Sequence, residues 1–390
     1  MESLYKIHQY LVKHINLPIR RKLMDEINWN DRLIGIKGMR GIGKTSFLIQ
    51  YAKEYFPDMK RECLYINLNN FYFTAKTIRD FANDFQMKGG KVLLIDEVFK
   101  YPLWAEELAY CYDHFPGLQI VFADSPVSSS EGAGFPLNRK AVFYHLRGFS
   151  FREFIELQTQ SAFRTYTFTE VIENHAEIAK EITSEVRPLA FLNDYFRHGF
   201  YPFFLEQQNF WENLLKTVNQ MLEVDVLTAN QIAQSSLPKI RKLFYLLSLM
   251  APESPNISRL SVDIETSRTT VIHYIRYLQE AHLICLLYPE GFPGKSAKLY
   301  LQNPNLLCAT RMTDVEPRTL METFFYNQVH EGYRINAGDK TAQFLIDGQY
   351  RFSIDDRIRN KFSSDVYYAI DGIESGERRV IPLWLFGFLY

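Results

Sequence analysis

The sequence predicts an α/β protein whose N-terminal part is a parallel sheet covered by helices, followed by helical and mixed segments. Three observations predict it. Gly38-Met39-Arg40-Gly41-Ile42-Gly43-Lys44-Thr45 fits the P-loop pattern G-x-x-x-x-G-K-[ST] at every fixed position. Lys91-Val92-Leu93-Leu94-Ile95-Asp96-Glu97 is an apolar run that ends in two carboxylates. Between residues 31 and 150 strand-like and helix-like stretches alternate, as they do in a sheet with helices on both faces.

Taken in order, residues 1 to about 30 read as a helix and then a basic stretch, Arg20-Arg21-Lys22. Leu33-Ile34-Gly35-Ile36 reads as a short buried strand, and Ser46-Phe47-Leu48-Ile49 as the start of a helix. A glycine-rich turn between them gathers backbone N–H groups toward one point, and the positive helix end adds to that field. Gly38 to Ser46 is therefore the expected phosphate cradle, with the Lys44 charge on the β- and γ-phosphates. The Thr45 hydroxyl would take one Mg²⁺ position. Lys37, Arg40 and the Arg20-Arg21-Lys22 cluster either serve this pocket or are solvated. Strands are expected near 33–37, 63–68, 91–96, 118–123 and 141–146. Asp96 would emerge at a strand's C-terminal end, where open α/β sheets bind ligands, and would hold Mg²⁺ through water. Glu97 is placed to polarise an attacking water.

Residues 150–235 are mostly helical in pattern. Between 236 and 303 three helices are expected: one through 240–247, a shorter one near 258–261 and one over 267–280. Two strands follow, 283–288 and 297–301, on either side of Gly291-Phe292-Pro293-Gly294. Three helices and a β-ribbon make a winged helix-turn-helix pattern. Arg268, Thr269, His273 and Arg276 fall on neighbouring faces of its third helix. They suit phosphates and base edges of double-stranded DNA. Asp263, Glu265 and Glu280 dilute that charge, so a protein contact or a purely architectural role is the alternative. Residues 304–390 read as α/β, with an Asp347-Gly348 hairpin over 344–352. The apolar stretch Val380 to Tyr390 reads as a segment buried in a core.

Composition bounds the rest. Hydrophobic residues make up 47% of 390, enough for real cores, and the 24 Tyr and 31 Phe suit β-rich or interface-rich packing. The net charge of −1 gives no global field toward nucleic acid. Cys63, Cys111, Cys285 and Cys308 are far apart and read as buried thiols of a reducing cytoplasm. No signal core is evident. No apolar run approaches the ~20 residues needed to span a bilayer. There are no repeats or low-complexity tracts.

An extra strand between the P-loop strand and the Asp96-Glu97 strand, with glutamate after aspartate, points to the additional-strand class of P-loop ATPases. Over essentially its whole length the chain resembles prokaryotic AAA+-type ATPases that carry a winged helix and a C-terminal domain related to PD-(D/E)xK nucleases. The carriers are Gly35 to Thr45, Leu94-Ile95-Asp96-Glu97, Gly148-Phe149-Ser150-Phe151-Arg152-Glu153-Phe154, His198-Gly199-Phe200-Tyr201-Pro202 and Pro382-Leu383-Trp384-Leu385-Phe386-Gly387. The resemblance implies an ATPase core over 1–150, a helical lid over 151–235, the winged helix over 236–303 and a nuclease-like domain over 304–390. It implies ATP as the nucleotide, no guanine-reading N-K-x-D motif being suitably placed. Ser125 matches the residue that senses the γ-phosphate, although Asp124 and Pro126 depart from the usual small residues. It is otherwise a loop serine. Arg139 matches an arginine that reaches a neighbouring subunit's nucleotide or pairs within one chain; Arg147 and Arg152 are alternates. The oligomeric state stays open. Tyr201-Pro202 implies packing in the lid. The nuclease positions hold Gln343, Ser353 and Asp355, while Asp347 is a turn residue and Lys361 lies too far along. The expectation is a degenerate nuclease fold used for binding or architecture.

Overall fold

Five short apolar segments become the strands of the first sheet: β1 Leu33–Lys37, β2 Cys63–Asn67, β3 Val92–Asp96, β4 Gln119–Asp124 and β5 Val142–His145. Every residue of β1 and β3 is buried, as continuous apolar runs in a central parallel strand require. The computed structural model describes residues 1–390 except 59–60, 126–133, 207–208, 228–229, 292–296, 312–313 and 358–362. Sheet order is β2-β3-β4-β1-β5, with all neighbours parallel. The inserted strand is β4, which separates the P-loop strand from the strand that ends in Asp96. Because all five strands run the same way, Lys37, Asn67, Asp96 and Asp124 emerge at one edge.

The chain divides into two units, Met1–Arg147 and Gly148–Tyr390. In the first, helices Glu2–His14, Lys44–Tyr55, Ile78–Met87 and Trp104–His114 accompany the sheet. The expected N-terminal helix is present and buries Leu4, Tyr5, His8 and Val12. Helix Ile78–Met87 starts on the Thr77 side chain, which accepts from Asp80 N–H. Buried Glu107 accepts from Ile78 N–H at 2.7 Å and Arg79 N–H at 3.2 Å, so its charge sits on a helix N-terminus. His8 Nδ1 accepts the Tyr65 N–H at 3.1 Å, and burial lowers the imidazole pKa to about 4.

In the second unit, helices Phe151–Thr159 and Phe168–Thr183 each begin with a capping box, Ser150 with Glu153 and Thr167 with Glu170. A mixed sheet of β8 Ile335–Ala337, β9 Phe344–Ile346, β10 Tyr350–Asp355, β11 Val366–Ile370 and β12 Val380–Pro382 has the order β12-β11-β10-β9-β8. The two pairings at the β8 end are antiparallel and the two at the β12 end parallel. The hairpin turn falls at Asp347 and Gly348, both at positive φ, 50° and 69°. Residues from the stretch expected as a lid and from the stretch expected as a C-terminal domain meet in one core. Phe151, Phe154 and Phe168 share it with Phe324, Phe325, Phe352, Trp384 and Phe386. All of Leu383–Phe388 is buried, as the apolar pattern suggests. Tyr201 is fully buried and its hydroxyl accepts from Asn303 Nδ2 at 3.2 Å, which is a packing role.

Helices Leu237–Met250, Ile257–Asp263 and Arg268–Glu280 precede an antiparallel ribbon of β6 Ile284–Leu287 and β7 Lys298–Leu301. The three helices and two strands fall where the periodicity puts them. Most of the glycine–proline loop between the strands lies outside the described residues. Burial pushes the thiols of Cys63, Cys111, Cys285 and Cys308 up, the last two to about 11, so none is reactive at neutral pH. Among the described residues no helix is long and apolar enough to cross a membrane.

Two predictions follow from these cores. Because the folded His8 takes its proton near pH 4 and the unfolded one near 6.5, acid favours the unfolded chain between those values. The wild type should lose about 2–3 kcal/mol over that window relative to His8→Asn, which keeps an acceptor and does not titrate. Denaturant melts at a series of pH values read this directly; parallel curves would remove the assignment. Trp384→Ala should destabilise the second unit by about 3–5 kcal/mol, seen as a lowered melting temperature.

Candidate nucleotide-binding site

The P-loop begins where β1 ends. Gly38 cannot carry a side chain without conflict: a Cβ there would lie 2.4 Å from Ile42 Cδ1 and 2.5 Å from the Leu146 carbonyl oxygen. Gly41 and Gly43 have φ of 85° and 93°, a left-handed backbone that favours glycine. Met39 and Ile42 are buried and pin the loop to the core, while Arg40, Gly41 and Gly43 are partly exposed. Arg21, expected to serve the pocket or to be solvated, is buried against the loop and not solvated. It donates to the Arg147 carbonyl at 2.6 Å and to the Ile42 carbonyl at 3.4 Å, so it fastens the loop from behind. Arg20 pairs with Asp25 at 2.6 Å and Glu54 at 2.9 Å. Lys37 is buried with its ammonium 4.7 Å from the Phe143 ring centroid.

Helix Lys44–Tyr55 follows directly. Gly43 caps it without a side chain, and its first turn holds no acidic residue. Its first intrahelical bond is Phe47 N–H to Gly43 O at 2.9 Å. Such an end presents a positive partial charge of about half an electron, suited to an anion. Lys44 Nζ lies back over the loop and donates to the Gly38 and Met39 carbonyls at 2.6 and 2.8 Å. Ser46 is partly exposed and Thr45 exposed.

Asp96 is 2% exposed and accepts three hydrogen bonds. Thr45 Oγ1 and Tyr65 Oη donate to its Oδ2 at 2.6 and 2.8 Å, and Glu97 N–H donates to its Oδ1 at 2.9 Å. The structure thus brings together two predicted residues, Thr45 and Asp96, that lie far apart in sequence. A hydroxyl and a carboxylate are hard oxygen donors, and few protein ligands are what Mg²⁺ takes beside phosphate. Glu97 sits at φ 54°, an unfavourable backbone for glutamate that costs of order 1–3 kcal/mol. Its carboxylate lies between two cations, Lys100 Nζ at 2.8 Å and Arg40 at 3.7 Å. Ser125 is buried at the end of β4 with its N–H on Asp124 Oδ1 at 2.8 Å. In register, Asp124 pairs with Lys37, the last residue before the loop. Arg139 is exposed at φ 62°, and among the described residues no ion pair holds it. Arg147 contributes its carbonyl to Arg21, and Arg152 is an internal ion-pair partner of Glu156 at 2.7 Å.

Two side chains here lie outside the sequence-based set: Tyr65 and Lys100. Tyr65 stands two residues before Asn67, the register partner of Asp96. That alternation was the available signal, but only once the strand pairing is known. In the second unit, Arg268, Thr269, His273 and Arg276 are all exposed on one helix. Arg276 is drawn to Glu280 at 3.4 Å, and Ile272 among them is 54% exposed. Around the hairpin, Gln343 accepts from Ile354 N–H, Ser353 is buried and Asp347 accepts from Arg334 N–H. Lys361 lies outside the described residues, as do Pro126 and the serines that follow it.

Comparison with known proteins agrees with this geometry. Residues 30–155 match the AAA domain family, and residues 190–317 match a domain of unknown function (DUF8612). No curated protein matches. Among solved structures the chain is similar to AMPPCP-bound DnaA from Aquifex aeolicus, at 16% identity and a TM-score of 0.28, over 71% of this chain and 87% of that one. It is also similar to PCH-2 from C. elegans, at 15% identity and a TM-score of 0.25, over 72% of this chain and 66% of that one. Residues 30–155 thus form an AAA domain, a P-loop nucleotide-binding fold on a five-stranded parallel sheet.

Proposed function

We propose that this chain is an ATPase that hydrolyses ATP to ADP and phosphate with Mg²⁺ and uses the nucleotide state as a conformational switch. The observation that carries the reading is the 2.6 Å bond from Thr45 to Asp96, made while Glu97 follows at the same sheet edge. The loop amides and the helix end bind the phosphates, and Lys44 exchanges two carbonyls for phosphate oxygens. Thr45 and Asp96 would hold Mg²⁺, which supplies charge neutralisation on the phosphates. Glu97 orients the attacking water once its carboxylate leaves Lys100 and Arg40. Ser125, beside the loop at the end of the intervening strand, is placed to sense the γ-phosphate. Arg139, exposed, suits a contact with a neighbouring copy better than an internal pair.

A second reading, a nucleotide-dependent interaction module with little hydrolysis, is favoured by the same ion pairs. A glutamate held by two cations is not yet a base for water. In the second unit we read the three helices and ribbon as a winged helix and the mixed sheet as a degenerate nuclease fold serving binding or architecture. Exposed Arg268, Thr269 and His273 suit DNA, but Ile272 in their midst and the Arg276–Glu280 pair favour a protein partner.

Phosphate release with Mg-ATP, with and without double-stranded DNA, separates these readings. Lys44→Ala should abolish nucleotide binding. Glu97→Gln should keep binding and lose turnover by about 10²-fold or more. Turnover retained in Glu97→Gln would refute the role given to that residue. Tight binding by the wild type with no turnover would favour the interaction module.

A further inference from the structure

Tyr65 donates into the site from the neighbouring strand. Its ring is 4% exposed on β2, and its hydroxyl reaches across to Asp96 Oδ2 at 2.8 Å. A buried phenol needs an acceptor. This one has chosen the carboxylate expected to serve the metal. Asp96 already has Thr45 Oγ1 on the same oxygen and Glu97 N–H on the other. An ionised carboxylate offers about four acceptor sites, so the third donor helps to satisfy the buried charge and also fixes the rotation of the group. With two donors on Oδ2, Oδ1 carries only the Glu97 amide among the described residues and keeps capacity for a further contact.

The phenol is itself held from behind. The Tyr65 N–H donates to His8 Nδ1 at 3.1 Å, and His8 is 3% exposed on the helix Glu2–His14. That helix is tied to the chain near β2 a second time, by Tyr5 Oη donating to the Arg61 carbonyl at 2.9 Å. A line of contacts therefore runs from the N-terminal helix through the Tyr65 backbone and side chain to Asp96 and Thr45. We infer that Tyr65 is a positioning residue: it orients Asp96 for the divalent cation that accompanies the nucleotide, with the N-terminal helix as its support. The inference deepens the reading of this site as a Mg-nucleotide site and rests on it. Groups that orient a metal-binding carboxylate typically change metal affinity by about 10–100-fold when removed.

The test uses the full chain and a fluorescent ATP analogue, titrated first in EDTA and then at increasing Mg²⁺. Tyr65→Phe keeps the ring and deletes only the hydroxyl. Tyr65→Met, an apolar side chain of adaptable shape, serves as a second deletion should the first misfold. The expected result is an affinity in EDTA within about twofold of wild type and a Mg²⁺ half-point raised about tenfold. Placed on Asp96→Asn, the same deletion should add little, because Tyr65 acts through that carboxylate. An unchanged Mg²⁺ half-point, an equal loss with and without Mg²⁺, or full additivity with Asp96→Asn would each overturn the inference and leave the nucleotide site standing. A wild-type chain that binds no nucleotide in either condition would overturn both.

Discussion

The buried carboxylate of Asp96 is the constraint on which the rest of the site depends. A charge with 2% exposure is stable only if every lone pair that matters has a donor. Thr45, Tyr65 and the Glu97 amide supply three. To bring them there, β1 and β3 must stand one strand apart with β4 between, and the loop must return the chain so that Thr45 begins a helix over the edge. The left-handed glycines at 41 and 43 allow that return. The phosphate cradle, the hydroxyl and the carboxylate are one construction, and each part is required by the same buried charge.

How much of this was legible depends on whether the information is local. The P-loop and the Asp96-Glu97 strand end are local patterns, and the five strands appear within a residue or two of where alternation and apolar runs put them. The helices and ribbon between 237 and 301 were legible for the same reason. What was not legible comes from pairing across the sheet. Tyr65 becomes part of the site only because Asn67 is in register with Asp96, and no property of Cys63 to Asn67 taken alone reveals that. Arg21 belonged to a basic run read as serving the pocket or solvated; burial against two carbonyls, which decides between them, is a tertiary fact. The clamp on Glu97 combines an i,i+3 pair with Lys100, readable in principle, and a pair with Arg40, which is not.

The second unit obeys a different logic. Its core is built from rings: Phe151 meets Tyr195, Phe324 and Phe388 edge to face, at centroid distances of 5.4, 6.2 and 6.3 Å. Edge-to-face rings pack with specific geometry, which explains why aromatic abundance signalled a packed interior without locating it. Polar side chains are buried alongside them. Gln328 donates to Tyr195 Oη and Asn327 Oδ1, and Asn305 donates to the Tyr195 and Phe196 carbonyls. Such a network specifies one arrangement because a shifted alternative would strand its donors.

The shared core also sets an order of events during synthesis. The sheet of the first unit is complete once β5 is made, so that unit has all its strand partners early. Phe151 emerges next and waits, apolar and without the Phe324 and Phe388 that it packs against, until β12 and its following turn appear. Contacts so distant along the chain form slowly, because a long loop must close before they are rewarded. While that ring of the second unit is uncovered, it presents apolar surface of the kind that favours aggregation.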